Sequence, residues 1–480
     1  LGPGSLLGAH GEGFETTDQI RVNISFYAYL FAALTGCYII TTQVKNLSSS
    51  SQVQLIPAAF PALQRLVLSN TALADGSLLR HLQGCSQLTR LRLDCCQVDA
   101  GSEGSAAAAL AQLPHLVSLT LKGSTPLSLA SQLTGLLNLR LTDRQESVHD
   151  LFQVAAQCPE LCSLTVRSNS TREQAVPAEQ LRSLLGSCPS LTCLDMACHS
   201  IDQQGLEALL QLGPNITDLT LSSIQATRDL SGRECKWRWL TLDTQEACNV
   251  VYLANLPLRG VERLILNSEE SVHLGLPVSA VPAPELPGLV RKAALNIASC
   301  PAWQKRPSPS LHLFTMATEP GSEPFWWAGL LPEVRIPILQ ALAPLGGPHM
   351  QLFSLSSRAD GALAVGGAEL RSLSSALGPG LNELLLDDNC GADHSAGILI
   401  EFDFWPALRT CFPALQGLLL RDVRGSVTEA DLIMCSQASS RPITFSLSAG
   451  IMEGALDLDY LKSRLTVWGL THVTLQQLPF

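Results

Sequence analysis

The chain has 480 residues, 46% hydrophobic but only 5% aromatic and 15% charged, which excludes a disordered chain and puts the apolar content on leucine and alanine. With 31 Lys+Arg against 42 Asp+Glu, the net charge of −11 argues against bulk binding to nucleic acid or to an anionic membrane. The 15 cysteines include no C-x-x-C pair and match neither a disulfide framework nor a zinc site; they read as reduced, mostly buried thiols of an intracellular protein.

The chain opens on Leu1 without a secretory leader and is read as a fragment. Ile24 to Ile40 is the one membrane candidate. It is shorter than the ~20 apolar residues of a span, so buried first-repeat structure is the expectation and a membrane anchor the alternative. The sequons at Asn23, Asn46, Asn169 and Asn215 are close to chance in a chain this rich in Ser and Thr. Residues 1–54 form an apolar N-terminal segment, read as a degenerate first repeat.

From residue 55 to 270 one phrase, L-x-x-L-x-L, recurs at steps of 20–30 residues. It runs Leu63-Leu66-Leu68, Leu88-Leu91-Leu93, Leu116-Leu119-Leu121, Leu136-Leu139-Leu141, Leu161-Leu164-Val166 and Leu191-Leu194-Met196. It continues through Ile216-Leu219-Leu221, Trp237-Leu240-Leu242 and Val261-Leu264-Leu266. Apolar residues at the fourth and sixth positions suit a short strand with one buried face. The following residues often read as a helix, most clearly Ile201 to Leu210 with Asp202 placed to cap it. One strand and one helix cannot bury their apolar faces alone, so the units must stack.

The register loosens over 271–345, where Pro277–Pro287 and Pro301–Pro324 are expected to loop out. Strand candidates return at Leu311–Leu313, and over 346–480 at Met350-Phe353-Leu355, Leu381-Leu384-Leu386, Leu415-Leu418-Leu420 and Leu470-Val473-Leu475. The last lies near the C-terminus without a polar cap, again read as truncation or imperfect capping.

These phrases resemble leucine-rich repeats, whose fuller form is L-x-x-L-x-L-x-x-[N/C/T]-x-L. Leu88 to Val98 fits throughout with Cys96 at the polar ninth position; Thr71, Asn169 and Asn389 share that place, whereas His199 and Ile224 depart from it. The Cys-x-x-Leu openings at Cys85, Cys158 and Cys188 are similar to the ribonuclease-inhibitor and cysteine-containing classes, which are typically intracellular. The resemblance implies an α/β fold, a curved solenoid with a parallel sheet on its concave face, used for protein–protein binding. The scaffold is shared by unrelated functions, so it names no partner.

In such a strand the third, fifth and seventh positions point away from the core. There the chain carries Arg65, Arg90, Arg92, Lys122, Arg140 and Arg167 against Asp94, followed by Asp195, Asp218 and Asp243. The expectation is a basic strip for an acidic protein surface, with the aspartates adding orientation; a merely solvated sheet face is the alternative. Cys193, Cys198 and His199 attract attention as metal ligands but lack a fourth partner. No Walker loop, G-x-G-x-x-G or H-E-x-x-H occurs, and Asp393 to Gly397 only approaches a nucleophile elbow. Leu331 to Leu339 is similar to the opening of an F-box, but Pro337 is expected to interrupt a helix there, and the segment is read as the convex part of a repeat.

The expected function is a non-catalytic, cytoplasmic scaffold that binds a protein on its concave face, with no cofactor and no metal. A substrate-recognition subunit of a cullin-type ubiquitin ligase and a membrane-anchored receptor ectodomain are the alternatives. A ciliary or cytoskeletal role is also compatible.

Overall fold

The computed structural model describes residues 60–267 and 271–421 with short breaks, the longest at 317–326 and 389–397, together with elements nearer both ends. The chain divides into two compact units, residues 1–172 with 179–198 and residues 173–178 with 199–480.

In the first unit eight strands lie in chain order: β1 (Gln19–Arg21), β2 (Thr41–Lys45), β3 (Arg65–Ser69), β4 (Arg90–Asp94), β5 (Ser118–Lys122), β6 (Asn138–Arg144), β7 (Ser163–Ser168) and β8 (Cys193–Met196). Each is parallel to its neighbours. Leu66, Leu91, Leu119, Leu139, Leu164 and Leu194 face one another across successive strands, and all are buried. A parallel pair needs a crossover. Helices α1 (Glu103–Ala111), α2 (Val148–Ala155) and α3 (Ala178–Ser187) supply it in three of the repeats.

The chain leaves the sheet by a recurring turn. The eighth phrase position is left-handed in four successive repeats: Asn70 (φ 51°), Cys95 (φ 51°), Gly123 (φ 64°) and Asp143 (φ 55°). Asn, Asp and Gly tolerate that region, whereas a cysteine there carries a steric cost. The ninth position then turns inward. Cys96 N donates to Thr125 Oγ1 (3.0 Å), Cys96 Sγ to Leu68 O (3.5 Å) and Thr71 Oγ1 to Ser69 O (3.2 Å). These bonds satisfy backbone groups that the turn would otherwise bury unpaired.

The second unit continues the pattern with β9 (Asp218–Leu221), β10 (Trp239–Leu242) and β11 (Arg263–Leu266), which are parallel and in register. Helix α4 (Gln203–Leu212) precedes them, and Asp202 caps it by accepting from Gly205 N at 2.8 Å. A further seven-stranded parallel sheet follows: β12 (Val272–Leu276), β13 (Ser310–Thr315), β14 (Leu352–Ser357), β15 (Glu383–Asp388), β16 (Gly417–Arg421), β17 (Ile443–Leu447) and β18 (Val473–Gln477). Its core row is Val272, Leu311, Phe353, Leu384, Leu418, Phe445 and Leu475. Behind it α5 (Leu286–Ala298), α6 (Pro332–Ala341), α7 (Gly367–Leu377) and α8 (Phe404–Cys411) pack in sequence order.

Residues 271–345 therefore hold regular elements: two strands and two long helices. The proline-rich stretches do not simply loop out, because several prolines start helices. Pro287, Pro301 and Pro332 each lie within the first two positions of a helix, where the missing N–H costs nothing and the fixed φ is already helical. Strands β12 and β17 escaped the leucine phrase because Glu269 and Pro442 stand where its first leucine belongs. Pro337 does not break α6, which runs on to Ala341. The carbonyl it deprives belongs to exposed Glu333 in the first turn, within reach of water. Ile24–Ile40 and Asp393–Gly397 lie outside the described residues. Among the described residues no helix is long and apolar enough to cross a membrane.

Buried polar groups tie the helix layer of the second unit together. Arg335 on α6 meets Glu369 on α7 at 3.1 Å, with both side chains almost fully buried. Arg335 also donates to Ala364 O (3.1 Å), and Glu369 accepts from Gly366 N (3.1 Å) at the start of α7. The segment that is similar to an F-box is thus one helix in a stack, packed between α5 and α7.

Candidate functional site

Alternation along each strand sends the fourth and sixth phrase residues into the core and the third, fifth and seventh to the open face. On the first unit's sheet, Arg65, Arg90, Arg92, Arg140 and Arg167 are exposed and Lys122 is half-buried. All six lie on that face, yet they are not electrostatically equivalent. Arg92 Nε meets Asp94 at 2.7 Å, Lys122 meets Asp143 at 3.0 Å, and Arg167 meets Asp195 at 2.9 Å. The hydrogen bond to Asp94 pushes the Arg92 guanidinium further above its ordinary range.

Arg65, Arg90 and Arg140 make no ion pair among the described residues. Arg65 and Arg90 are direct partners in the β3–β4 register, so two exposed cations stand side by side about 4.8 Å apart along the backbone. Like charges placed opposite each other destabilise a sheet. The basic strip of the sequence is therefore half self-neutralised, and its unpaired part is the Arg65–Arg90 pair with Arg140 beyond.

The aspartates separate by unit. Asp195 belongs to the first and is spent on Arg167. Asp218 and Asp243 belong to the second, both half-buried, and Asp218 accepts from Thr217 Oγ1 at 2.7 Å. Beside Asp218 in the register stand Trp239 and then Arg263. Trp239 is 51% exposed, and the Arg263 guanidinium lies 5.9 Å from its ring centre. Charge reading overlooked this aromatic. The signal was present in the phase: Trp237 at the first position is buried, while Trp239 at the third faces outward. Asp143 was missed because it sits at the eighth position, which the alternation rule does not reach.

The buried cysteines behave as packing groups. Burial pushes the Cys85, Cys96, Cys158 and Cys188 thiols up to about 11, leaving them protonated and unreactive. His199 is 1% exposed, neither ring nitrogen has a hydrogen-bond partner, and burial lowers its pKa to about 4. Among the described residues no three His, Cys, Asp or Glu side chains gather as a metal site.

Each of the nine regular phrases is one strand with its fourth and sixth residues buried, and at Thr71 and Cys96 the ninth residue bonds the turn. Each unit is a stack of strand-and-crossover repeats on a parallel sheet, the arrangement of a leucine-rich repeat fold. No family model matches the sequence, and neither does any curated protein. Solved structures do match. TLR13 in complex with ssRNA13 aligns at 14% identity and a TM-score of 0.43, over 95% of this chain but only 61% of that one. A leucine-rich repeat protein of Leptospira interrogans aligns at 16% identity and a TM-score of 0.41, over 87% of this chain and 97% of that one. At that distance neither likeness bears on function.

Proposed function

We propose that the protein is a non-catalytic binding scaffold whose open sheet face in the first unit recognises an acidic segment of a partner protein. The observation that carries this reading is the Arg65–Arg90 pair, two exposed cations in register that no carboxylate neutralises among the described residues. A sheet face selected only for solubility gains nothing from adjacent like charges. A partner carboxylate would relieve that repulsion and steer association. The twelve described cysteines are all free, which suits a reducing compartment such as the cytoplasm.

The test is affinity purification from the native cell with quantitative mass spectrometry, comparing the wild type with Arg65→Glu/Arg90→Glu. Arg92 is left alone because Asp94 already neutralises it. Loss of one partner from the variant, with the rest of the capture unchanged, is the expected result. Retention of every partner overturns the reading. A labelled single-stranded RNA is measured alongside; RNA binding that the charge reversal abolishes would replace a protein partner by a nucleic acid.

A further inference from the structure

On the open face of the second unit, the third repeat position of β14, β15, β16 and β17 carries Leu352, Glu383, Gly417 and Thr444 in one row. Gly417 has no side chain, so the row has a gap at its centre. The fifth position beside it carries Leu385 and Leu419, half-buried leucines on a face whose corresponding positions in the first unit are mainly Arg and Thr. Together they form an open groove of about 440 Å³ between Leu352 and Thr444. That is within the ~300–1,000 Å³ range of ligand clefts.

Of the residues lining the groove only Glu383 is charged. It is exposed and has no ion pair among the described residues. Its stem forms one wall, since a Cβ built on Gly417 would stand 3.3 Å from Glu383 Cγ. Any group that fills the groove packs against that stem and partly desolvates its carboxylate. A carboxylate desolvated without a partner opposes binding, and a cation beside it removes the penalty.

We propose that this groove receives one bulky apolar side chain of a partner peptide segment, with a lysine or arginine next to it pairing with Glu383. The site is separate from the basic strip of the first unit and has the opposite charge preference.

Phage-displayed random peptides panned on the full chain test the proposal, with Gly417→Val as the filled-groove variant and Glu383→Lys as the reversed rim. Valine suits a strand, Gly417 does not need a left-handed φ, and the flexible Glu383 stem can yield to it. Enriched peptides should share a bulky apolar residue beside Lys or Arg and bind Gly417→Val about tenfold more weakly or worse. Panning on Glu383→Lys should select acidic neighbours instead, which gives a second reading should Gly417→Val misfold. No shared motif, equal binding to Gly417→Val, or an unchanged charge preference on Glu383→Lys overturns the proposal. Self-association of the wild type that Gly417→Val abolishes also overturns it, by making a second copy the occupant. Arg65→Glu/Arg90→Glu should leave peptide binding unchanged, so the two proposals fail separately.

Discussion

His199 offers a sharp test of how the repeat handles its ninth position. Its neighbours there, Thr71 and Cys96, hydrogen-bond to the turn, whereas His199 is buried with neither ring nitrogen partnered. Burial lowers its pKa from the ordinary value of 6.5 to about 4. The unfolded chain therefore binds a proton that the folded chain refuses, and stability falls as pH drops from 6.5 towards 4. Each pH unit in that window costs about 1.4 kcal/mol, so at pH 5 the loss is about 2 kcal/mol, and it levels off below pH 4. In His199→Asn the side chain keeps a polar amide at the ninth position and does not titrate. Urea unfolding at pH 7.5 and pH 5 should show the wild type losing about 2 kcal/mol more than the variant between the two conditions. Equal losses in both proteins would refute the assignment of His199 as a buried neutral imidazole.

Four further outcomes follow from the structure. Arg335→Met strands Glu369 in the helix layer and should cost about 3–5 kcal/mol in urea unfolding, while Arg335→Met/Glu369→Gln, which removes the charge but keeps an acceptor for Gly366 N, should recover much of the loss. Cys95→Gly relieves a left-handed non-glycine residue and should raise stability by about 1 kcal/mol in a thermal melt. Gly123→Ala at the same turn position should lower it, because φ is 64° and a Cβ would meet Cys95 Sγ at 2.6 Å. Asp202→Ala removes the cap of α4 and should cost about 1 kcal/mol, read as faster amide exchange in the first turn of that helix.

The leucine phrase was enough to place nine strands, because its fourth and sixth residues must be buried on one face and the phase of that alternation is written in the chain. The same phase put Arg65, Arg90, Arg92, Lys122, Arg140 and Arg167 on the open face without any coordinates. Asp202 announced α4 for an equally local reason, since a cap acts on the N–H groups of its own first turn. Strands β12 and β17 were hidden where Glu269 and Pro442 replaced the leading leucine; only their neighbours in the sheet supply the register.

Other features required the tertiary structure because they depend on residues far apart in sequence. Which cations of the strip are neutralised is set in part by Asp143, which reaches Lys122 from a left-handed turn, and by Asp195, which reaches Arg167 from the next strand. The burial of Arg335 is made tolerable by Glu369, a partner on a different helix. The groove at Gly417 exists only because Leu352, Glu383 and Thr444 arrive beside it on three other strands. Periodicity fixes which face a side chain takes, since that is decided within a few residues. What the side chain meets there is decided by the stacking of repeats 20–40 residues apart, which no local pattern encodes.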